Sequence, residues 1–164
     1  MEAIVIKRSG ALIKRLTTQN LSLVMPSATS LRPTGSAALS KMWIEYKVQE
    51  GGVWGMRIHV KMSVKNLKGQ TAYLRVLFTK EDGTKLRGLT PKYRTKAGYT
   101  ALFRRLTPKH ETSFYRDISM FIPYKEFGLP VGKYNLKLHT DVVSSTYQQI
   151  SHLNYKSFTY SRTR

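Results

Sequence analysis

The sequence predicts an all-β protein, an antiparallel β-sandwich carrying a basic N-terminal arm. Three observations lead there. Apolar and polar residues alternate with a period of two in several separate segments, turn residues punctuate those segments, and almost nothing sustains a helical period.

The clearest element is GMRIHVKMSVKNLKG, Gly55 to Gly69. Met56, Ile58, Val60, Met62 and Val64 fall on one face, with Arg57, His59, Lys61, Ser63 and Lys65 on the other. A parallel strand covered on both sides reads apolar throughout, so this half-buried pattern belongs to an antiparallel sheet. Before it, WIEYKVQ at Trp43 to Gln49 is a strand candidate that ends in the turn residues EGG. After it, NLKG at Asn66 to Gly69 turns the chain into TAYLRVLFTK, Thr71 to Lys80, with Leu74, Val76 and Phe78 inward. EDG at Glu81 to Gly83 reads as a hairpin turn, because glycine accepts positive φ.

Thr84 to Lys109 is less regular, with two Thr-Pro pairs and eight basic residues among tyrosines and leucines. Thr100 to Leu106 reads as a strand and its flanks as long loops that display their charge. From Ser113 to Pro123 alternation returns, placing Phe114, Arg116, Ile118, Met120 and Ile122 on one parity. Arg116 conflicts with a buried face, which puts it at the strand entrance. Tyr124 to Phe127 suits one short helical turn, Lys133 to Thr140 separates Tyr134, Leu136 and Leu138 from Lys133, Asn135, Lys137 and His139, and a last, poorly alternating strand spans His152 to Tyr160. Seven or eight strands result, spaced as in a sandwich.

The first forty residues differ. PSATSLRPTGSAALS, Pro26 to Ser40, is small and polar like a linker, after short apolar groups at Ile4 to Ile6, Ala11 to Leu16 and Leu21 to Met25. The division is an arm or linker at 1–42 and a sandwich domain at 43–164. The arm suits strand addition to a partner or to its own sheet.

Lys and Arg number 28 against 9 Asp and Glu, a net charge of +19 over 164 residues. Such a field attracts nucleic acid, anionic lipid or an acidic protein surface. Without cysteine, disulfides and thiolate metal sites are excluded. No apolar run reaches the roughly 18 residues of a transmembrane segment, and the basic interruptions near the start leave no clear secretion signal, so a soluble chain is expected.

In GMRIHVKMSVKNLKG, YLRVLFTKEDGTKLR and FIPYKEFGLPVGKYNLKL the chain resembles small C2-like or immunoglobulin-like β-sandwich modules of bacterial multidomain proteins. The resemblance covers Trp43 to Tyr160. It implies a sandwich and a binding role, and it assigns no catalytic or metal-binding residue.

The residues themselves point away from an enzyme. There is no Walker loop, dinucleotide fingerprint or GxSxG elbow. His59 and His139 become neighbours if their strands pair, but two histidines without a carboxylate specify no zinc site, and the acids are too scattered for calcium. No cofactor is expected. The functional signal is basic residues interleaved with aromatics. Arg57, Lys61 and Lys65 share one outward face, Lys133 and Lys137 another, and the middle loops add Lys92, Tyr93, Arg94, Lys96, Tyr99, Arg104 and Arg105. These suit a phosphate backbone and stacked bases of DNA or RNA. The same residue types suit a protein interface or self-association, with Tyr93, Tyr99, Phe103 and Phe121 at its centre.

Overall fold

The computed structural model describes residues 34–164. The apolar groups between Ile4 and Met25 lie outside them. Seven strands follow: β1 (Ser36–Glu50), β2 (Val53–Lys65), β3 (Ala72–Lys80), β4 (Ala101–Leu106), β5 (Thr112–Pro123), β6 (Gly132–Ser144) and β7 (Gln149–Arg162). Single 3-10 turns occupy Pro91–Tyr93 and Tyr124–Phe127, the second where a helical turn was expected. All pairings are antiparallel, in a three-stranded sheet of order β1-β2-β5 and a four-stranded sheet of order β4-β3-β6-β7. This is the antiparallel sandwich read from the alternation.

The period of two works as expected where it is unbroken. Met56, Ile58, Val60, Met62 and Val64 of β2 meet Leu74, Val76 and Phe78 of β3 and Leu136 and Leu138 of β6 in one buried core. Phe127, from the 3-10 turn after β5, packs against Phe78 at 5.2 Å between ring centroids. Gly55 is needed for sheet closure: a Cβ there would sit 2.2 Å from the Ile122 carbonyl oxygen of β5.

Two expectations change. β1 begins at Ser36, so residues 36–42, read as arm, belong to the sheet. Small polar residues look like linker, but ladder hydrogen bonds do not depend on side-chain size, and Ala37, Leu39 and Met42 pack against the core. Ala37 N–H also donates to Ser151 Oγ of β7 at 2.9 Å. The second change concerns Arg116. It lies within β5 at a β-bulge, where the register passes from Val60 opposite Ile118 to Met62 opposite Tyr115. The extra residue reverses parity. Tyr115 therefore packs on the core, while Phe114, expected inward, is exposed.

β6 starts with a local tie. Tyr134 Oη donates to the carbonyl oxygen of Pro130 at 3.2 Å, fastening the strand to the chain that leads into it.

Candidate functional site

Pairing sends the outward residues of the two sheets to opposite sides of the sandwich. His59 belongs to the three-stranded sheet and His139 to the four-stranded one, so they are not neighbours. For the same reason Arg57, Lys61 and Lys65 share no surface with Lys133 and Lys137.

On the three-stranded sheet one cation of the outward row, Arg57, is answered by carboxylates. Arg57 pairs with Glu50 and, at 3.4 Å, with Glu45 across β1. His59 is buried, stacked on Trp43 with centroids 4.7 Å apart, and its Nδ1 meets Asp117 Oδ1 at 2.9 Å. Its Nε2 lies 3.2 Å from Glu45 Oε2 but off the hydrogen-bonding direction. Carboxylates from β1 and β5 thus flank Arg57 and His59 of β2 and tie the three strands together. Lys61 stands opposite Lys41, and Lys65 ends the strand.

The four-stranded sheet presents a different surface. Its outward parity carries Tyr73, Arg75 and Leu77 of β3, Phe103 and Arg105 of β4, and Lys137, His139 and Asp141 of β6. Over it folds the loop from Pro91 to Ala97, enclosing an open groove of about 470 Å³ with Arg75, Phe103 and Tyr147. Lys92, Arg94 and Lys96 form its basic wall. Among the described residues none of these three takes part in an ion pair. The one groove cation with a carboxylate partner is Arg75, whose Nε donates to Asp141 Oδ1 at 2.9 Å and whose Nη2 reaches Oδ2.

Tyr147, 43% exposed, forms the aromatic wall. Its ring stacks on Tyr73 and meets Phe103 edge-on, each at 5.7 Å, while Lys96 Nζ stands 5.7 Å from its centroid. Its backbone is left-handed, φ 63°, in the β6–β7 turn that Ser144 Oγ holds by accepting from the N–H groups of Thr146 and Gln148. A non-glycine residue in that region costs of order 1 kcal/mol, and such strain gathers at functional sites.

The loop is anchored from below. Glu126, buried at 1% exposure, accepts from Thr90 N–H at 3.0 Å and from Thr90 Oγ1 at 3.2 Å, one residue before the basic segment. Thr100 Oγ1 returns a bond to the Glu126 carbonyl oxygen at 3.4 Å.

Of the expected contact residues, Lys92, Arg94 and Lys96 converge on the groove. Tyr93 instead packs on the core, and Tyr99 is gripped by Lys85 and Arg87 at 4.8 and 5.4 Å. Arg104 and Arg105 point to opposite faces of the edge strand β4, as neighbours in a strand must, and Arg105 Nη2 donates to Thr71 Oγ1 at 3.3 Å. Lys137 pairs with Glu81 at 3.5 Å, and Lys133 lies near the opposite end of β6 from the groove's Tyr147. Arg75 and Tyr147 were missed. Arg75 was visible as an outward position of β3, whereas Tyr147 has no signal in its local sequence.

His139, on the same face, donates to or accepts from Thr79 Oγ1 at 3.0 Å and meets the Tyr155 ring edge-on at 4.7 Å. Burial first, then the charges of Lys137 and His152, hold its pKa below the ordinary value.

No family model and no curated protein matches the chain. Among solved structures, it is similar to catalytically inactive OgpA from Akkermansia muciniphila in complex with an O-glycopeptide substrate, at 18% identity over 84% of this chain, with a TM-score of 0.39. It spans only 32% of that protein. A structural-genomics target, SoR45, gives 11% identity over 80% of this chain and 89% of its own, TM-score 0.30. A type II cohesin domain from the cellulosome of Acetivibrio cellulolyticus gives 10% over 76% and 95%, TM-score 0.25. Likenesses at this level assign neither family nor function.

Proposed function

We propose that the chain is a non-enzymatic binding module that takes single-stranded DNA or RNA in the groove of its four-stranded sheet. The observation carrying this reading is the groove itself, where Lys92, Arg94 and Lys96, without ion-pair partners among the described residues, face the rings of Tyr147 and Phe103. Cations that track a backbone beside aromatic platforms are what a single strand requires. An acidic protein surface or a second copy is the alternative, favoured by Phe114, 77% exposed on the edge strand β5.

The strand order supports the immunoglobulin-like form of sandwich. With strands lettered A to G, the sheets are ABE and DCFG, which differ from the constant-type ABED and CFG only in the sheet that the fourth strand joins. The Tyr134 tie to Pro130 matches the tyrosine corner at the start of strand F.

Fluorescence titration with labelled oligothymidylate tests the groove. Tyr147→Ala is expected to weaken binding about 5- to 150-fold, the equivalent of 1–3 kcal/mol per stacked base. Unchanged affinity in this variant would overturn the groove assignment, and no binding of oligothymidylate by the wild type would favour the protein-contact reading.

A further inference from the structure

A second concavity opens at the other side of the sandwich and shares no lining residue with the groove. Two adjoining hollows of about 350 and 420 Å³ meet over Lys47, Tyr124, Tyr160 and Ser161, bounded by β1, β7 and the 3-10 turn after β5. Tyr46 closes one end and Trp54 the other, and their rings remain 49% and 56% exposed. The hydroxyl-bearing rings of Tyr124 and Tyr160 line both hollows, and Tyr124 Oη, which accepts the Lys47 N–H, keeps its own proton to donate.

The wall is strained. At a bulge between Glu45 and Val48, Lys47 adopts φ 55°, and its N–H donates to Tyr124 Oη at 2.9 Å. A glycine would hold this turn without the cost of about 1–2 kcal/mol that a side chain incurs. The turn geometry alone therefore does not explain a lysine there, and Lys47 lines both hollows.

Charge selects the guest. Lys47 and Arg162 line the cleft, and among the described residues no carboxylate does. Arg162 Nη1 donates to Leu129 O at 2.6 Å, which orients the guanidinium and leaves further N–H donors. A quaternary ammonium, the usual guest of an aromatic cage, would be repelled. Exposed ring faces suit the C–H face of a pyranose, the hydroxyls suit its rim, and the cations suit a carboxylate. We infer that this cleft binds an acidic sugar of the uronic acid class within an oligosaccharide.

Isothermal titration of the full chain with a hyaluronan hexasaccharide, using chitohexaose as the neutral control, tests the inference. Hyaluronan should bind and chitohexaose should bind at least about tenfold more weakly, with Trp54→Ala and Tyr46→Ala each costing about tenfold. Lys47→Gly should weaken binding while raising Tm by about 2–4 °C, which separates lost recognition from lost folding. The joint substitution of Lys92, Arg94 and Lys96 by Gln should leave hyaluronan affinity unchanged even if the groove has no nucleic-acid ligand. Equal affinity for the two sugars, no binding of hyaluronan, wild-type affinity in Lys47→Gly, or an equal loss in the groove variant would overturn it.

Discussion

Replacing Glu126 by Ala should destabilise the fold and loosen the basic loop together. The carboxylate is buried and accepts two bonds from Thr90, at 3.0 and 3.2 Å. Hydrogen bonds to a charged group contribute about 1.5–3 kcal/mol each in net terms. The Thr90 hydroxyl can rotate to another acceptor, so the full loss applies to the amide alone. The missing side chain adds a small cavity, giving an expected cost of about 2–4 kcal/mol. Glu126→Gln keeps an acceptor oxygen in place and should cost only about 1 kcal/mol. Urea denaturation measures both, and amide exchange at Thr90 should accelerate in the Ala variant beyond its global destabilisation. Oligothymidylate affinity should fall with Glu126→Ala and be largely spared with Glu126→Gln. Stability of Glu126→Ala within about 0.5 kcal/mol of wild type, or an equal loss in both variants, would refute the anchoring argument.

Ile58→Asp places a carboxylate at a fully buried position and should cost more than about 4 kcal/mol, whereas Lys61→Gln should shift thermal unfolding by no more than about 0.5 kcal/mol. Tyr134→Phe removes one bond to Pro130 and should lower stability by about 0.5–1.5 kcal/mol in urea. Because the folded-state pKa of His139 is depressed, its contribution is complete above the unfolded value of 6.5 and is lost as pH falls toward the folded value. Thermal unfolding of His139→Gln should accordingly decline less than wild type as pH drops below 6.5, the face around it holding Lys137, His152, Asp141, Thr79 and Tyr155.

Sequence pattern gives the strands wherever side-chain identity alone sets the face, as in Met56 to Val64 and Leu74 to Phe78. It fails at Arg116, because an inserted residue reverses parity without altering composition, and at Ser36, because small residues pair as well as large ones. The loop lysines of the groove were legible as dense charge. Their neighbours were not: Tyr147 arrives from a turn far along the chain, and Glu126 holds Thr90 across 36 positions of sequence. Charge excess was the weaker guide, since Glu45 and Glu50 answer Arg57 and Asp117 meets the His59 ring. That long-range pairing is set by register and bulges.

The groove's role is tested most directly by the salt dependence of oligonucleotide binding, comparing wild type with the joint Gln replacement of Lys92, Arg94 and Lys96 at matched ionic strengths. Each phosphate neutralised on a single strand contributes about 0.7 to the slope of log affinity against log salt, so removing three cations should reduce that slope by about 2. The fall in affinity should be similar across base sequences if these side chains neutralise phosphates, which carry no sequence information. Folded, monodisperse wild type that binds no single strand at low salt, or a variant with the wild-type slope, would contradict the account.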